Sequence, residues 1–284
     1  MRPDAPFTIF QDIYKTAHPP IRITPYTEHR LTPDIIREFL ASAPQGVIGF
    51  APAYGRSCML SVLAFASSER VLLVYIDRGS VPNYNKDRPS GRVLLHDLIL
   101  CAETHAKYSF RMDVLATALF LDLGFRIARG VDLLSAARPG DSRHSLSAMM
   151  TALGGDAGVD KPKVIGLFRH DEDVCAPIAH VALQAWAAWR AATLESNIQK
   201  MTEIPRMDTR EWSEPRLDAL AKLIREARRL AQQKPVRVEN EVDSEFSCTE
   251  GKLSVTSTRY KTRILASHNQ VGRRGPPHTH NRQS

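Results

Sequence analysis

An apolar run over residues 47–51, Val-Ile-Gly-Phe-Ala, gives the clearest strand signal in the chain. Apolar stretches follow at residues 59–66 and 71–77, and the connections between them are short and contain Gly, Ser and Arg. Short connections favour antiparallel neighbours, because parallel strands need a long crossover. The hydrophobic pattern therefore predicts three consecutive antiparallel strands.

Helical patterns flank these three strands. Ahead of them, Thr32 and Pro33 stand before apolar residues with helical spacing, so Thr32 is the expected N-cap and Pro33 the first helical residue. After them, the pattern predicts helices at residues 93–101, 113–124, 145–153 and 174–194, and short strands at the start of segment 107–115 and within 127–134. Alternating helices and strands after an antiparallel unit predict an α/β fold with a mixed sheet.

Proline placement and composition divide the chain into four segments. Five prolines make residues 1–25 an expected irregular lead-in, and the α/β pattern covers residues 26–198. Residues 199–266 are expected to add an amphipathic C-terminal helix that is capped by residues 212–215 and runs to about Gln233, and weakly alternating segments compatible with a β-hairpin. Residues 267–284 are polar, basic and contain Pro and Gly, a composition typical of a disordered tail.

The composition excludes several classes of protein. With 284 residues, 43% hydrophobic and 24% charged, the chain can bury a sizeable core and is expected to be globular. It has no run of eighteen uncharged apolar residues and no segment typical of a signal peptide, so we expect an intracellular protein of the nucleus or cytoplasm. The four cysteines are far apart, which favours reduced thiols over disulfides or a zinc site. No Gly-x-Gly-x-x-Gly turn follows a strand, which argues against dinucleotide binding.

Positive charge is concentrated toward the C-terminus. Residues 1–199 hold 21 Lys and Arg against 20 Asp and Glu, whereas residues 200–284 hold 17 against 11, and the formal net charge is +7. A basic terminal segment suits an acidic partner such as nucleic acid, although solvated basic tails are equally common. The candidate nucleic-acid-binding residues are Lys222, Arg225 and Arg229, on one flank of the predicted C-terminal helix, and Arg273 and Arg274 in the tail.

Several short motifs follow one another between residues 20 and 195. They are Val47-Ile48-Gly49-Phe50, the strand pair at 59–74, the strand–helix segment 107–115, Gly130-Val131-Asp132-Leu133, the Ser-Leu helix at 145–154, Asp160-Lys161 and the segment 178–182. In this order they resemble the 3′-5′ exonuclease domain of the RNase D and Werner type. The resemblance implies an RNase H-like fold and a nucleic-acid partner, with RNA favoured over DNA.

The resemblance also implies where a catalytic site would lie. Enzymes of that family use two divalent metal ions held by four carboxylates, with a tyrosine or histidine that orients the attacking water. Matched position by position, the acids of the first motif fall on Ala51 and Ala53, that of the second on Asp113, that of the third on Val181, and the tyrosine on Pro177. Because magnesium requires oxygen ligands, the resemblance implies no catalytic set and no cofactor, and magnesium or manganese would need other ligands.

Other acids could replace the missing ligands if this matching is wrong. Asp132 and the Asp-Glu-Asp run at 171–173 are the candidates, but a one-residue slip would turn the strand side chains to the opposite face. Asp113 has a simpler interpretation as a first-turn acid stabilised by the helix dipole. His180 directly precedes the Val181 position and is interpreted as a helix-surface histidine.

Three functions remain open at this point. The sequence favours a catalytically degenerate exonuclease-like protein that acts as a nucleic-acid-binding or protein-interaction module. The alternatives are an active metal-dependent 3′-5′ exonuclease with non-standard ligands, and a structural scaffold or homodimer. The near-neutral charge of residues 1–199 favours the scaffold, whereas the basic C-terminal segment favours contact with a phosphate backbone.

Overall fold

The computed structural model describes residues 5–43, 45–55, 59–77, 89–136, 142, 145–168, 177–212 and 222. The chain divides into two compact units, residues 1–235 and 236–284. The second unit, with the predicted hairpin and tail, lies outside the described residues, as does the predicted C-terminal helix apart from Lys222. No helix in the described ranges is long and apolar enough to cross a membrane.

A seven-stranded mixed sheet forms the centre of the first unit. The strands are β1 (Phe7–Ile9), β2 (Ile21–Thr27), β3 (Val47–Tyr54), β4 (Leu60–Ala66), β5 (Arg70–Tyr75), β6 (Ala106–Ser109) and β7 (Gly130–Asp132). Their order across the sheet is β1-β2-β5-β4-β3-β6-β7. The strands β3, β4 and β5 are antiparallel neighbours, and β6 and β7 continue the sheet parallel to β3. The predicted α/β fold, a mixed sheet with an antiparallel unit followed by alternating helices and strands, is confirmed.

Residues 7–9 and 21–25 form strands, so the expectation that residues 1–25 are irregular is wrong for these two stretches. β2 pairs in parallel with β5 over six residues, and β1 pairs antiparallel with β2. Ile21 and Ile23 are fully buried, which is the alternation of a strand with one face on the core. Pro25 is accommodated because β1 reaches only Ile21–Ile23, so β2 has a single neighbour at Pro25. The prolines of this segment concealed the strand signal.

Helices cover both faces of the sheet. They are α1 (Pro33–Ala41), α2 (Gly91–Leu95, continued by a π-helical turn at His96–Leu100), α3 (Met112–Leu123), α4 (Leu146–Ala152), α5 (Lys161–Phe168), α6 (Ile178–Thr193) and α7 (Glu195–Glu203). The predicted N-cap of α1 is confirmed, since the Thr32 hydroxyl accepts a 3.3 Å hydrogen bond from the Ile35 N–H. The helix α5 was not predicted from the sequence pattern, and α6 begins at Ile178 rather than near residue 174.

The sheet separates two apolar cores. On one side, α6 packs with α4 and α5 over the strands, and Trp186 is the largest side chain that is fully buried there. On the other side, α1, α2 and α3 cover β3, β4 and β5, with Phe50 stacked on Phe65 at a ring-centroid distance of 4.5 Å. The alternation of β3 assigns each of its side chains to one core or the other, and this assignment positions the candidate site.

Candidate functional site

The strand β3 presents its smallest side chains to α6. Ala51 and Ala53 are 4% and 5% exposed and belong to the core under α6, whereas Ile48 and Phe50 belong to the core on the opposite face. Gly49 continues the row of Ala51 and Ala53, and its Cα lies so close to α6 that a Cβ would be 2.8 Å from the Cβ of Trp189. The small side chains of Gly49, Ala51 and Ala53 therefore allow α6 to approach β3 closely.

Val181 provides the matching position on α6. Its side chain is fully buried in the same core as Ala51 and Ala53. Three of the positions at which the resemblance implies carboxylates therefore lie in one apolar layer between β3 and α6. We call this layer of Ala51, Ala53 and Val181 the cleft floor.

The cleft floor does not fit a divalent metal ion. Magnesium binds oxygen in a near-octahedral arrangement, and the side chains of the cleft floor are hydrocarbon. Among the described residues, no group of three or more His, Cys, Asp and Glu side chains is arranged to hold a metal. No catalytic step through metal ions can be built from the residues that the structure brings together here.

Asp113 lies in the first turn of α3 and is half-buried. Its carboxylate accepts a 2.9 Å hydrogen bond from the Val114 N–H, and its carbonyl oxygen accepts one from the Thr117 hydroxyl. The next residue toward the N-terminus, Met112, is buried in the core opposite to the cleft floor. These contacts agree with a helix N-terminal acid, the simpler of the two interpretations of Asp113.

Asp132 ends β7 and is buried, at 5% exposed. One carboxylate oxygen accepts backbone N–H bonds from Arg111 at 3.2 Å and from Leu134 at 2.9 Å. Arg111 has a left-handed backbone with φ of 64°, an unfavourable conformation for this residue type that the bond to Asp132 supports. Asp132 thus joins the ends of β6 and β7. The acidic run at 171–173 lies outside the described residues.

Pro177 is the N-cap of α6. Its carbonyl oxygen accepts backbone hydrogen bonds from His180 at 2.8 Å and from Val181 at 3.2 Å. Proline has no N–H to donate and suits a helix start, so Pro177 serves the backbone of α6. His180 is half-buried in the first turn.

Sequence reasoning missed two features around the cleft floor. One is the close approach at Gly49, for which a glycine inside a strand was an available signal. The other is an aromatic pair at the carboxyl end of β6, Phe110 and Phe168, whose rings lie 4.8 Å apart in an edge-to-face arrangement and are partly exposed. Phe168 ends α5, which the sequence pattern did not predict, so the pair could not be anticipated.

Of the candidate nucleic-acid-binding residues, one lies within the part of the chain that the structure describes. Lys222 is described and exposed. Arg225, Arg229, Arg273 and Arg274 lie outside the described residues.

No protein-family model and no curated protein matches this chain. Several solved structures are similar to it at low identity. One, titled as the apo form of the nuclease, is 13% identical with a TM-score of 0.42 over 75% of this chain and 97% of that chain. NrnC of Brucella melitensis bound to pGG is 13% identical with a TM-score of 0.37, over 68% and 90% of the two chains. RNase D of Trypanosoma brucei in complex with GMP is 15% identical with a TM-score of 0.36, over 77% and 68%.

These similar structures are nucleases, and RNase D is one of the proteins whose motifs the sequence resembles. At such low identity and TM-scores, these structures show a general similarity and identify no site residue in this chain. The fold assignment rests on the strand order and the directions of pairing found in this chain.

Proposed function

We propose that this chain is a catalytically degenerate 3′-5′ exonuclease-like protein that binds nucleic acid without degrading it. The observation that carries the proposal is the cleft floor. Its members are 4%, 5% and 0% exposed at the places where metal-binding acids would stand. A single half-buried acid, Asp113, cannot hold two ions about 3.5–4 Å apart, the spacing of a two-metal site.

Because the cleft floor is buried, apolar residues in place of acids also change how this part of the fold is stabilised. Carboxylates that face one another in a cleft repel and need cations or hydrogen bonds to remain ionised. The apolar cleft floor has no such need, because helix and strand pack on each other there without polar groups to compensate. This apolar packing supports a fold that binds rather than hydrolyses.

Charge supports a nucleic-acid partner and favours contact through the C-terminal segment. Residues 200–284 hold 17 Lys and Arg against 11 Asp and Glu, whereas residues 1–199 are near neutral. Attraction to phosphates comes from such a local excess of positive charge. We propose RNA ahead of DNA as the polymer, and the partly exposed Phe110 and Phe168 rings add surface on which unpaired bases could stack.

Binding is expected to depend on the basic flank of the C-terminal segment. The variant Lys222→Ala/Arg225→Ala/Arg229→Ala should bind single-stranded RNA more weakly and with a shallower salt dependence. Each lost phosphate contact makes the slope of log K against log salt shallower by about 0.7 for a single strand. The loss of three contacts should therefore make the slope shallower by roughly 2. Fluorescence anisotropy at several salt concentrations, with RNA and DNA of the same sequence, measures both quantities.

A matched control removes the same charge elsewhere. Arg22, Arg30 and Arg37 are exposed in the first unit and lie outside residues 200–284, and their triple alanine variant should keep both affinity and salt slope. Equal losses in the two variants would show that only net charge matters and that the flank is not a binding site. Absence of binding by the unmodified chain would favour the scaffold function.

A further inference from the structure

A second cluster of reactive groups lies at the other end of the sheet from the cleft floor. It consists of Cys101, His96 and Asp97, at the end of the π-helical turn that continues α2. This turn leads into the start of β6, where Ala106 pairs with Val47 at the beginning of β3. The sulfur of Cys101 lies 3.3 Å from Nε2 of His96, and Nδ1 of His96 lies 2.7 Å from Oδ1 of Asp97.

The π-helical turn is what brings the thiol and the imidazole together. The Cys101 N–H donates to the His96 carbonyl oxygen, five residues earlier, at 2.8 Å. In an α-helix, residues five apart are rotated by about 140° around the axis and face different directions. The wider turn places them on one face, and such turns are rare and often found at functional sites.

Asp97 determines which imidazole nitrogen carries the proton. An ionised carboxylate only accepts hydrogen bonds, so Nδ1 of His96 must be the donor to Asp97. The neutral ring then has its free electron pair on Nε2, which faces the sulfur of Cys101. The thiol hydrogen can therefore donate to Nε2, and the Arg126 carbonyl oxygen, 3.5 Å from the sulfur, is its other acceptor. The arrangement is a nucleophile, a base and a group that orients the base.

The surroundings of the thiol contain charges of both signs. Burial raises the pKa of the Cys101 thiol, the charges of Arg210 and Lys107 lower it, and those of Asp97 and Asp208 raise it. At neutral pH the resting group is therefore the thiol rather than the thiolate, so reaction requires a base. His96 is in position to act as that base, and positive charge stabilises the thiolate as it forms.

Both cations are held in fixed positions. Lys107 is fully buried, its Nζ donates to the carbonyl oxygens of Ala102 and Ala128, and burial lowers its pKa to about 8. Arg210 is bound by Glu103 at 2.8 Å and by Asp208. Their charges therefore act on the sulfur without rearrangement of the site.

We propose that Cys101 is a peroxide-reactive thiol for which His96 acts as general base and Asp97 as the orienting group. The sulfur attacks one oxygen of hydrogen peroxide while Nε2 of His96 takes the thiol proton. The S–O bond forms, the O–O bond breaks, and the departing hydroxide takes the proton from His96 to leave as water. Sulfur is oxidised to the sulfenic acid and the peroxide is reduced, so the step needs no other reactant.

A small neutral oxidant fits the exposure of this site. Cys101 is partly exposed, and the side chains of His96 and Asp97 are 28% and 59% exposed. Hydrogen peroxide is small enough to reach such a partly exposed sulfur. The site is separate from the cleft floor, so this inference stands whether or not the chain binds nucleic acid.

The test is the rate at which Cys101 reacts in the full chain. Hydrogen peroxide oxidation and iodoacetamide alkylation would be followed at each cysteine by peptide mass spectrometry. At about pH 7 the variant His96→Gln should react on the order of tenfold more slowly at Cys101, since general bases contribute at least this much. As the pH is raised and hydroxide ionises the thiol directly, the two rates should converge.

Two further variants separate catalysis by His96 from structural effects. Asp97→Asn, which no longer requires a proton on Nδ1, should also slow the reaction at neutral pH, whereas His29→Gln, a change at an exposed histidine away from the site, should not. The assignment of the base would be overturned if Cys101 reacted at equal rates in the native chain and in His96→Gln at neutral pH. It would also be overturned if the lower rate of His96→Gln persisted unchanged at high pH. Absence of a dimedone adduct at Cys101 after peroxide treatment of the native chain would overturn the sulfenic acid step.

Discussion

The variant Ala51→Asp/Ala53→Glu/Val181→Asp is expected to be unfolded at neutral pH in the absence of metal. All three positions are 5% exposed or less and lie in one apolar core. Burying an ionised or unpaired carboxyl costs about several kcal/mol for each group, and mutual repulsion adds to this cost. Their sum exceeds the roughly 5–15 kcal/mol by which a domain of this kind is stable. Circular dichroism during thermal melting measures the effect.

Manganese gives this experiment a second arm. If the three acids converge, a divalent cation that binds the folded form should recover part of the lost stability, in proportion to its concentration. The control is Ile198→Asp, which places one carboxylate at a side chain that is 52% exposed on α7, and which should melt close to the native chain with or without manganese. An unchanged melting temperature of the triple variant in both conditions would show that the three positions do not share a site.

Gly49→Ala is expected to lower the stability by at least about 4 kcal/mol, a loss reserved for severe changes in a core. The new Cβ would collide with the backbone carbonyl oxygen of Ala185 and the backbone nitrogen of Trp189, and would lie 2.8 Å from Trp189 Cβ. Backbone atoms inside a helix cannot move aside singly, so α6 would have to lift from β3. For a chain of this size the melting temperature should fall by roughly 10 °C.

The matched control is the same substitution in an open helix position. No atom lies within 4 Å of the place where a Cβ would be built on Gly166 in α5. Gly166→Ala should therefore raise stability by about 0.5–1 kcal/mol, because glycine is unfavourable inside a helix. A Gly49→Ala protein that melts like the native chain would mean that α6 is not seated on β3, and the cleft floor would not exist as described.

Local patterns predicted much of the fold because the relevant interactions are local. The apolar runs of β3, β4 and β5 and the short turns between them specified the antiparallel unit, and Thr32 is followed by Pro33 as in many helix starts. The strand β2 escaped prediction because Pro25 is tolerated only through the shortness of β1, which is a property of the assembled sheet.

The candidate site was partly predictable for a similar reason. Alternation along β3 places Ala51 and Ala53 on one face, and the motif resemblance suggested that Val181 meets them. The contact of His96 with Cys101 could not be predicted. The sequence pattern indicates an α-helix, in which residues five apart lie on different faces. The burial of Lys107 was equally hidden, since its partners are the backbone carbonyls of Ala102 and Ala128.

Loss of catalysis is tested by incubating the full-length chain, in excess, with 5′-labelled single- and double-stranded RNA and DNA and with magnesium or manganese. Because the cleft floor offers hydrocarbon where metal ions need oxygen, every substrate should keep its full length. Asp113→Ala removes the one acid at a matched position, and Asp34→Ala removes a first-turn acid of α1 as its control. Progressive shortening from the 3′ end by the native chain that persists in Asp34→Ala and disappears in Asp113→Ala would show that the chain is an active exonuclease.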